Sequence, residues 1–157
     1  MAEHKCYLCG TPAQLVREPR ETSMGTRRVV IDDEFFRCPE CGETFYVDGM
    51  ADETSRRAAA AIRREDGLLE PDAIRAIRAQ YGLSQAGLET LIGAGEKTVV
   101  RWERGTVAQN ATADTLLRVL RDNPRVVKKL AAERGVDVAL MKSAARESSP
   151  RKKSARG

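Results

Sequence analysis

Two clips, "CYLC" at 6–9 and "CPEC" at 38–41, each followed by glycine, constrain this chain more than any other feature. They use all four of its cysteines. A C-x-x-C pair places two sulfurs on one tight turn, and the glycine after it admits the backbone geometry that aims main-chain N–H groups at them. Two such pairs, with 28 residues between them, supply four thiolates for one tetrahedral Zn²⁺ at roughly 2.3 Å. Cys6, Cys9, Cys38 and Cys41 are therefore read as ligands of one structural zinc per chain. Four sulfurs fill every position, so no water is left for catalysis. His4, the only histidine, is read as a solvated side chain rather than a fifth ligand. No H-x-E element accompanies the clips, which excludes the zinc-deaminase pattern. A disulfide or a thiol-redox pair is the competing reading. It is disfavoured because the start of the chain, "MAEHKCYLCG", is no secretory signal, and the longest apolar run, "AAAAI" at 58–62, cannot span a bilayer. A cytoplasmic protein without a membrane segment is expected, and in that reducing compartment paired cysteines bind metal more often than each other.

Around the clips the chain reads as short strands. "AQLVRE" and "RRVVIDD" flank the turn material "TSMGT", and "EFFRC" and "TFYVD" surround the second clip. So few apolar residues in 50 could hardly fold unaided, and a bound metal would supply the missing stability. From 51 to 67 the composition turns helix-friendly, with balanced charge and a thin apolar stripe, and predicts a helical linker closed by Gly67. From 68 to 135 the period is helical. Pro71 suits a first helical position, and Ile74, Ile77 and Tyr81 recur before Gly82. Ser84 caps a second helix, "GAG" at 93–95 interrupts, and a third helix is predicted from about Glu96 to Arg104. A fourth starts near Ala111, and a fifth carries Val126, Val127, Leu130 and Ala131 after "DNP". The remainder, 136–157, predicts a basic tail that is disordered from about Ser143. The expected fold class is α+β: a small β-rich zinc ribbon over 1–50, then an all-α, five-helix helix-turn-helix domain.

The segment from Ser84 to Gly105 has the layout of a DNA-reading pair. On a helical wheel Val99 and Trp102 face inward, with Thr98 at the margin, and Lys97, Arg101 and Arg104 face outward beside Val100. Arginine donates two hydrogen bonds to guanine, lysine reaches guanine or a phosphate, and valine packs on a thymine methyl. Arg101 is assigned to base reading, Lys97 to base or phosphate, and Arg104 to phosphate. Gln85 is placed against a phosphate at the start of the second helix. A protein-binding trihelical unit with a merely solvated basic face is the bland alternative. The apolar stripes over 111–134 exceed what a trihelical core needs, which predicts a homodimer with two reading heads and double-stranded operator DNA as partner.

Bulk charge misleads here. The chain's net +4 is matched by the four cations of the last eight residues. Residues 68–123 hold seven basic and seven acidic groups, so DNA affinity must come from local arrangement. Residues 1–50 sum to −3, and a four-thiolate zinc site takes that to about −5. Such a surface repels phosphates and attracts a basic protein.

The conjunction of a CxxCG…CxxCG ribbon with "LSQAGLETLIGAGEKTVVRWERG" and "TLLRVLRDNP" resembles the MqsA-type antitoxins of bacterial toxin–antitoxin pairs, from about Cys6 to Arg134. The resemblance implies a non-catalytic dimer whose ribbon grips a small basic ribonuclease toxin and whose C-terminal domain represses its own promoter. In that family an asparagine and an arginine four residues on read the bases. Arg101 keeps the second role, while the first falls to Lys97, so the operator sequence should differ. A stand-alone helix-turn-helix regulator is the alternative expectation.

Overall fold

In the computed structural model residues 3–139 are described, and the tail expected to be disordered from Ser143 lies outside them. Alternation builds the N-terminal part. Strands β1 (Gln14–Met24) and β2 (Arg27–Arg37) pair antiparallel along their whole length, and β3 (Thr44–Phe45) adds to the far end of β2. Val29, Ile31, Asp33 and Phe35 of β2 are buried on one face, and their period of two runs unbroken through "RRVVIDDEFFR". For that reason the two strands expected there are one, and the turn shrinks from "TSMGT" to Gly25 and Thr26, with Gly25 at a φ of 60°. Pro19, opposite Asp32, is tolerated because β1 is an edge strand.

The stretch expected as a linker is helix α1 (Met50–Asp66), and it does not run free. Ala58 and Ile62 pack on Val29 and Ile31 of the sheet. Its stripe looks thin because alanines supply most of it, yet small side chains let the helix lie close to the strand. Asp33, 2% exposed, fastens the same joint. It accepts hydrogen bonds from Thr54 Oγ1 of α1 (2.6 Å), from Tyr46 just past β3 (2.5 Å) and from the Glu34 N–H (3.0 Å), and it pairs with Arg20 at 3.4 Å.

Five helices follow: α2 (Pro71–Gln80), α3 (Gln85–Ile92), α4 (Thr98–Arg104), α5 (Ala111–Asp122) and α6 (Pro124–Arg134). Ile74, Leu88, Val99, Leu117 and Val127, one from each, meet in a single core with Trp102. Leu117, Leu120, Val127 and Ala131 are all buried there, so the apolar stripes of α5 and α6 are largely spent inside the chain. Val119 (41%) and Val126 (39%) stay exposed.

Polar contacts join this core to the end of α1, and α1 to the hairpin turn. Asp114 of α5 accepts from the Leu69 N–H (2.7 Å) and from Gln109 Nε2 (3.0 Å), which also donates to the Leu69 carbonyl (2.7 Å). Arg118 donates to the Gly67 carbonyl (2.9 Å), and Arg27 beside the hairpin turn pairs with Asp66 at 2.5 Å. Ala108 packs against the sheet-side cluster itself.

Candidate functional site

The two clips fold alike. In each, the first cysteine's carbonyl accepts from the glycine after the clip, Gly10 to Cys6 at 2.9 Å and Gly42 to Cys38 at 3.0 Å. The same cysteine's N–H then reaches across, to Thr11 at 2.9 Å and Glu43 at 2.8 Å. Gly10 and Gly42 both take a φ of 75°, the left-handed geometry that their positions in the sequence imply. The hairpin brings the knuckles together, and all four sulfurs lie within 4.8 Å of one another. The closer approaches are 3.4 Å (Cys9–Cys38), 3.6 Å (Cys6–Cys41) and 3.8 Å (Cys9–Cys41). A tetrahedron with bonds of 2.3 Å has edges of about 3.8 Å, so the sulfurs already stand where one Zn²⁺ would hold them. All four are free thiols, too far apart for a disulfide.

Proton chemistry agrees. Hydrogen bonds from Thr11, then from Cys38, pull the Cys9 thiol down to about 6. At Cys41 the Glu43 N–H favours the thiolate, but burial and the three neighbouring sulfurs outweigh it and push the thiol up to about 12. Cys9 and Cys41 are thus driven in opposite directions, and a divalent metal between them would favour the thiolate at both. The donor set fits zinc with Cys6, Cys9, Cys38 and Cys41 as ligands. Outside the cluster, His4 packs on Phe36 with ring centroids 4.6 Å apart. From there an aromatic row continues through Phe45 to Tyr7, whose hydroxyl donates to Glu43 at 2.6 Å. Tyr7 (67%) and Leu8 (63%), between the first two cysteines, face outward.

The second constellation lies on α3 and α4. Ser84 caps α3 by accepting from Gly87 N at 2.9 Å. Helix α4 begins at Thr98, two residues later than expected, because Lys97 sits in the left-handed region at a φ of 59°. Lys97 is the only non-glycine there among the described residues, and its side chain leaves the helical wheel that the sequence suggested. The free N–H of Val99 is taken by the buried carboxylate of Glu89 at 2.9 Å. Arg101 and Arg104 are exposed, Val100 and Thr98 half-buried. Gln85 is turned inward: its amide nitrogen donates to Glu103 at 2.6 Å.

Glu103 sorts the charges. Burial pushes its carboxyl up, but hydrogen bonds from Arg78 and Gln85 and the nearby charges of Arg78 and Arg75 outweigh that and hold it below the usual carboxylate range. Arg78 bonds it at 2.6 Å, and Arg75 also donates to its carbonyl. Arg118 pairs with Asp114 and Arg121 with Asp122. Of the seven cations in 68–123, these four are paired, while Lys97, Arg101 and Arg104 have no carboxylate within 4.0 Å among the described residues. A segment with no net charge therefore carries a cationic face around α4. Glu89, Glu103, Asp114 and Asp33 are the residues that sequence reasoning passed over. Only Asp33 left a trace, as an acid in the inward register of β2.

The family model for the antitoxin component of bacterial toxin–antitoxin systems, MqsA, matches residues 4–131. The chain belongs to this family. It is also similar to Antitoxin HigA-2 of Vibrio cholerae serotype O1, 30% identical over 63 residues, or 40% of this chain. The chain spans 61% of that relative's length. Among the described residues of this MqsA-family chain, no helix is long and apolar enough to cross a membrane.

Proposed function

We propose that this antitoxin neutralises a small basic ribonuclease toxin by protein contact through its zinc ribbon, and that as a homodimer it binds operator DNA and represses its own operon. The observation that carries the DNA half is the sorting of charge on the helical unit. Three cations around α4 stay free in a segment where every other cation is paired, and a merely solvated face would gain from the same pairing. Arg101 reads a base, Lys97 a base or phosphate, Arg104 a phosphate, and Val100 and Thr98 complete the groove contact. Gln85 acts through Glu103 and contributes less directly than its position implies. Val119 and Val126 are the apolar groups left over for a dimer.

The toxin half rests on charge and on the exposed row beside the metal. Tyr7, Leu8 and Leu15 are apolar groups on an acidic unit, the composition that suits a basic protein partner. Zinc here holds the fold and does no chemistry. The boundaries 1–50, 51–67, 68–135 and 136–157 are retained as proposed units, with the second docked on the first.

The test is mild affinity purification of the tagged protein from its own cells, with every retained species identified by mass. A small basic protein in stoichiometric amount, released by Cys38→Ser, supports the reading. Recovery of a zinc-loaded dimer with DNA and no such protein would favour a stand-alone regulator.

A further inference from the structure

The same sorting of charge points to a second place. Nine arginines precede residue 68, and seven of them stand within 4.0 Å of a carboxylate. Among the described residues the two that do not are Arg17 on β1 and Arg64 on α1, far apart in sequence. Both line one open pocket of about 340 Å³. Arg57 lines it too and is held in place there, its Nη1 donating to the Asp32 carbonyl at 3.0 Å and its Nε lying 3.6 Å from Glu53. Val30, Ile31, Ala60 and Ala61 form the apolar part of the lining. Arg17 lies opposite Glu34 in the strand register, a position made for a cross-strand ion pair, yet the pair is not formed.

We infer that this pocket, formed by Arg17, Arg57 and Arg64, binds a phosphate group. Three guanidinium groups around one hollow repel each other unless an anion sits between them, and their planar forks match phosphate oxygens two at a time. The small alanines let such a group approach α1 closely. Asp32 is the one carboxylate in the lining and works against the anion, and Glu53 beside Arg57 offsets a second charge, so the net attraction rests on the unpaired Arg17 and Arg64. The phosphate comes either from a small phosphorylated molecule or from a nucleic-acid backbone. The pocket is separate from the cationic face around α4, and the inference stands whether or not that face reads an operator.

The experiment uses the full, zinc-loaded chain and the double variant Arg17→Gln, Arg64→Gln. Both side chains are exposed and unpaired, so the variant should melt with the wild type. Titration with pyrophosphate at low salt is expected to show saturable binding, weakened at least about tenfold in the double variant. Asp32→Asn should tighten it, since the Arg57 bond goes to the backbone carbonyl. If pyrophosphate does not bind, the salt dependence of affinity for a random-sequence duplex of about 30 base pairs decides. A slope lower by about 2 in the double variant identifies backbone phosphates as the occupant. No saturable pyrophosphate binding together with an unchanged slope would overturn the inference.

Discussion

Lys97 and Arg101 show how much rests on single side chains. Lys97 takes a backbone conformation that costs an L-residue about 1–2 kcal/mol, a cost that glycine avoids while losing more chain entropy. Lys97→Gly is therefore expected to leave thermal stability unchanged or raise it by up to about 1 kcal/mol while weakening DNA binding. Melting curves and a gel-shift titration on the same variant separate the two effects. A loss of stability would mean that the lysine side chain holds the turn. Arg101 is exposed and unpaired, so Arg101→Ala should cost about 1–3 kcal/mol of operator affinity and relax the preference at one base pair. An unchanged footprint would move the reading face elsewhere.

At the scale of elements, buried carboxylates decide how helices meet. Burial alone would push Asp33, Glu103 and Asp114 up, but their hydrogen bonds and arginine neighbours hold all three below the ordinary carboxylate range. Each folded-state value is depressed, so its contribution is present above the unfolded value near 4 and is lost as pH falls through the lower folded values. Stability should therefore hold from neutral pH to about 4 and drop below it, as circular dichroism melts against pH would record. Asp33→Ala removes the acceptor shared by Thr54, Tyr46 and the Glu34 N–H, and should destabilise the α1–sheet joint by about 2–4 kcal/mol. Glu89→Ala uncaps α4 and is expected to cost about 1–2 kcal/mol, with hydrogen exchange rising first in that helix.

For the molecule as a whole, metal removal is the informative perturbation. The apolar cluster beneath the sheet is small, built on Val29, Ile31, Ala58 and Ile62, whereas the helical core draws on five helices. Chelation at neutral pH, or Cys38→Ser, should therefore unfold the knuckles and lower hairpin and leave the helical unit folded. Two calorimetric transitions in the zinc form, reduced to one in the apo form, would express this. The surviving transition should shift downward, because Ala108 of the helical unit loses its packing on the sheet-side cluster as the hairpin loosens. Complete loss of helix on chelation would show that these contacts make the chain one cooperative unit.

Local chemistry made several features legible before any fold was known. The gathering of the four sulfurs is written in spacing: a C-x-x-C-G clip dictates its own turn, and Gly10 and Gly42 adopt the same φ as a result. Helix caps are equally local, and Ser84, Gly93 and Pro71 act where the sequence places them. The inward pattern of the helical unit, Ile74, Leu88, Val99 and Leu117, follows from a period of 3.6. Long-range pairing is different in kind. Nothing near Arg78 in the chain announces that Glu103 will neutralise it 25 residues on, nor that Arg101 and Arg104 will be left free. The docking of α1 was hidden because alanines bury little area each, and only the facing strand shows that they are covered. The turn at Lys97 was hidden because Glu89, a helix away, supplies the cap that lets α4 start late. Composition and spacing thus determined the four-cysteine cluster, most of the element types and the family's signature residues. Which charges are spent and which are left to act was decided by tertiary structure, because an ion pair depends on distance in space and the sequence records only distance along the chain.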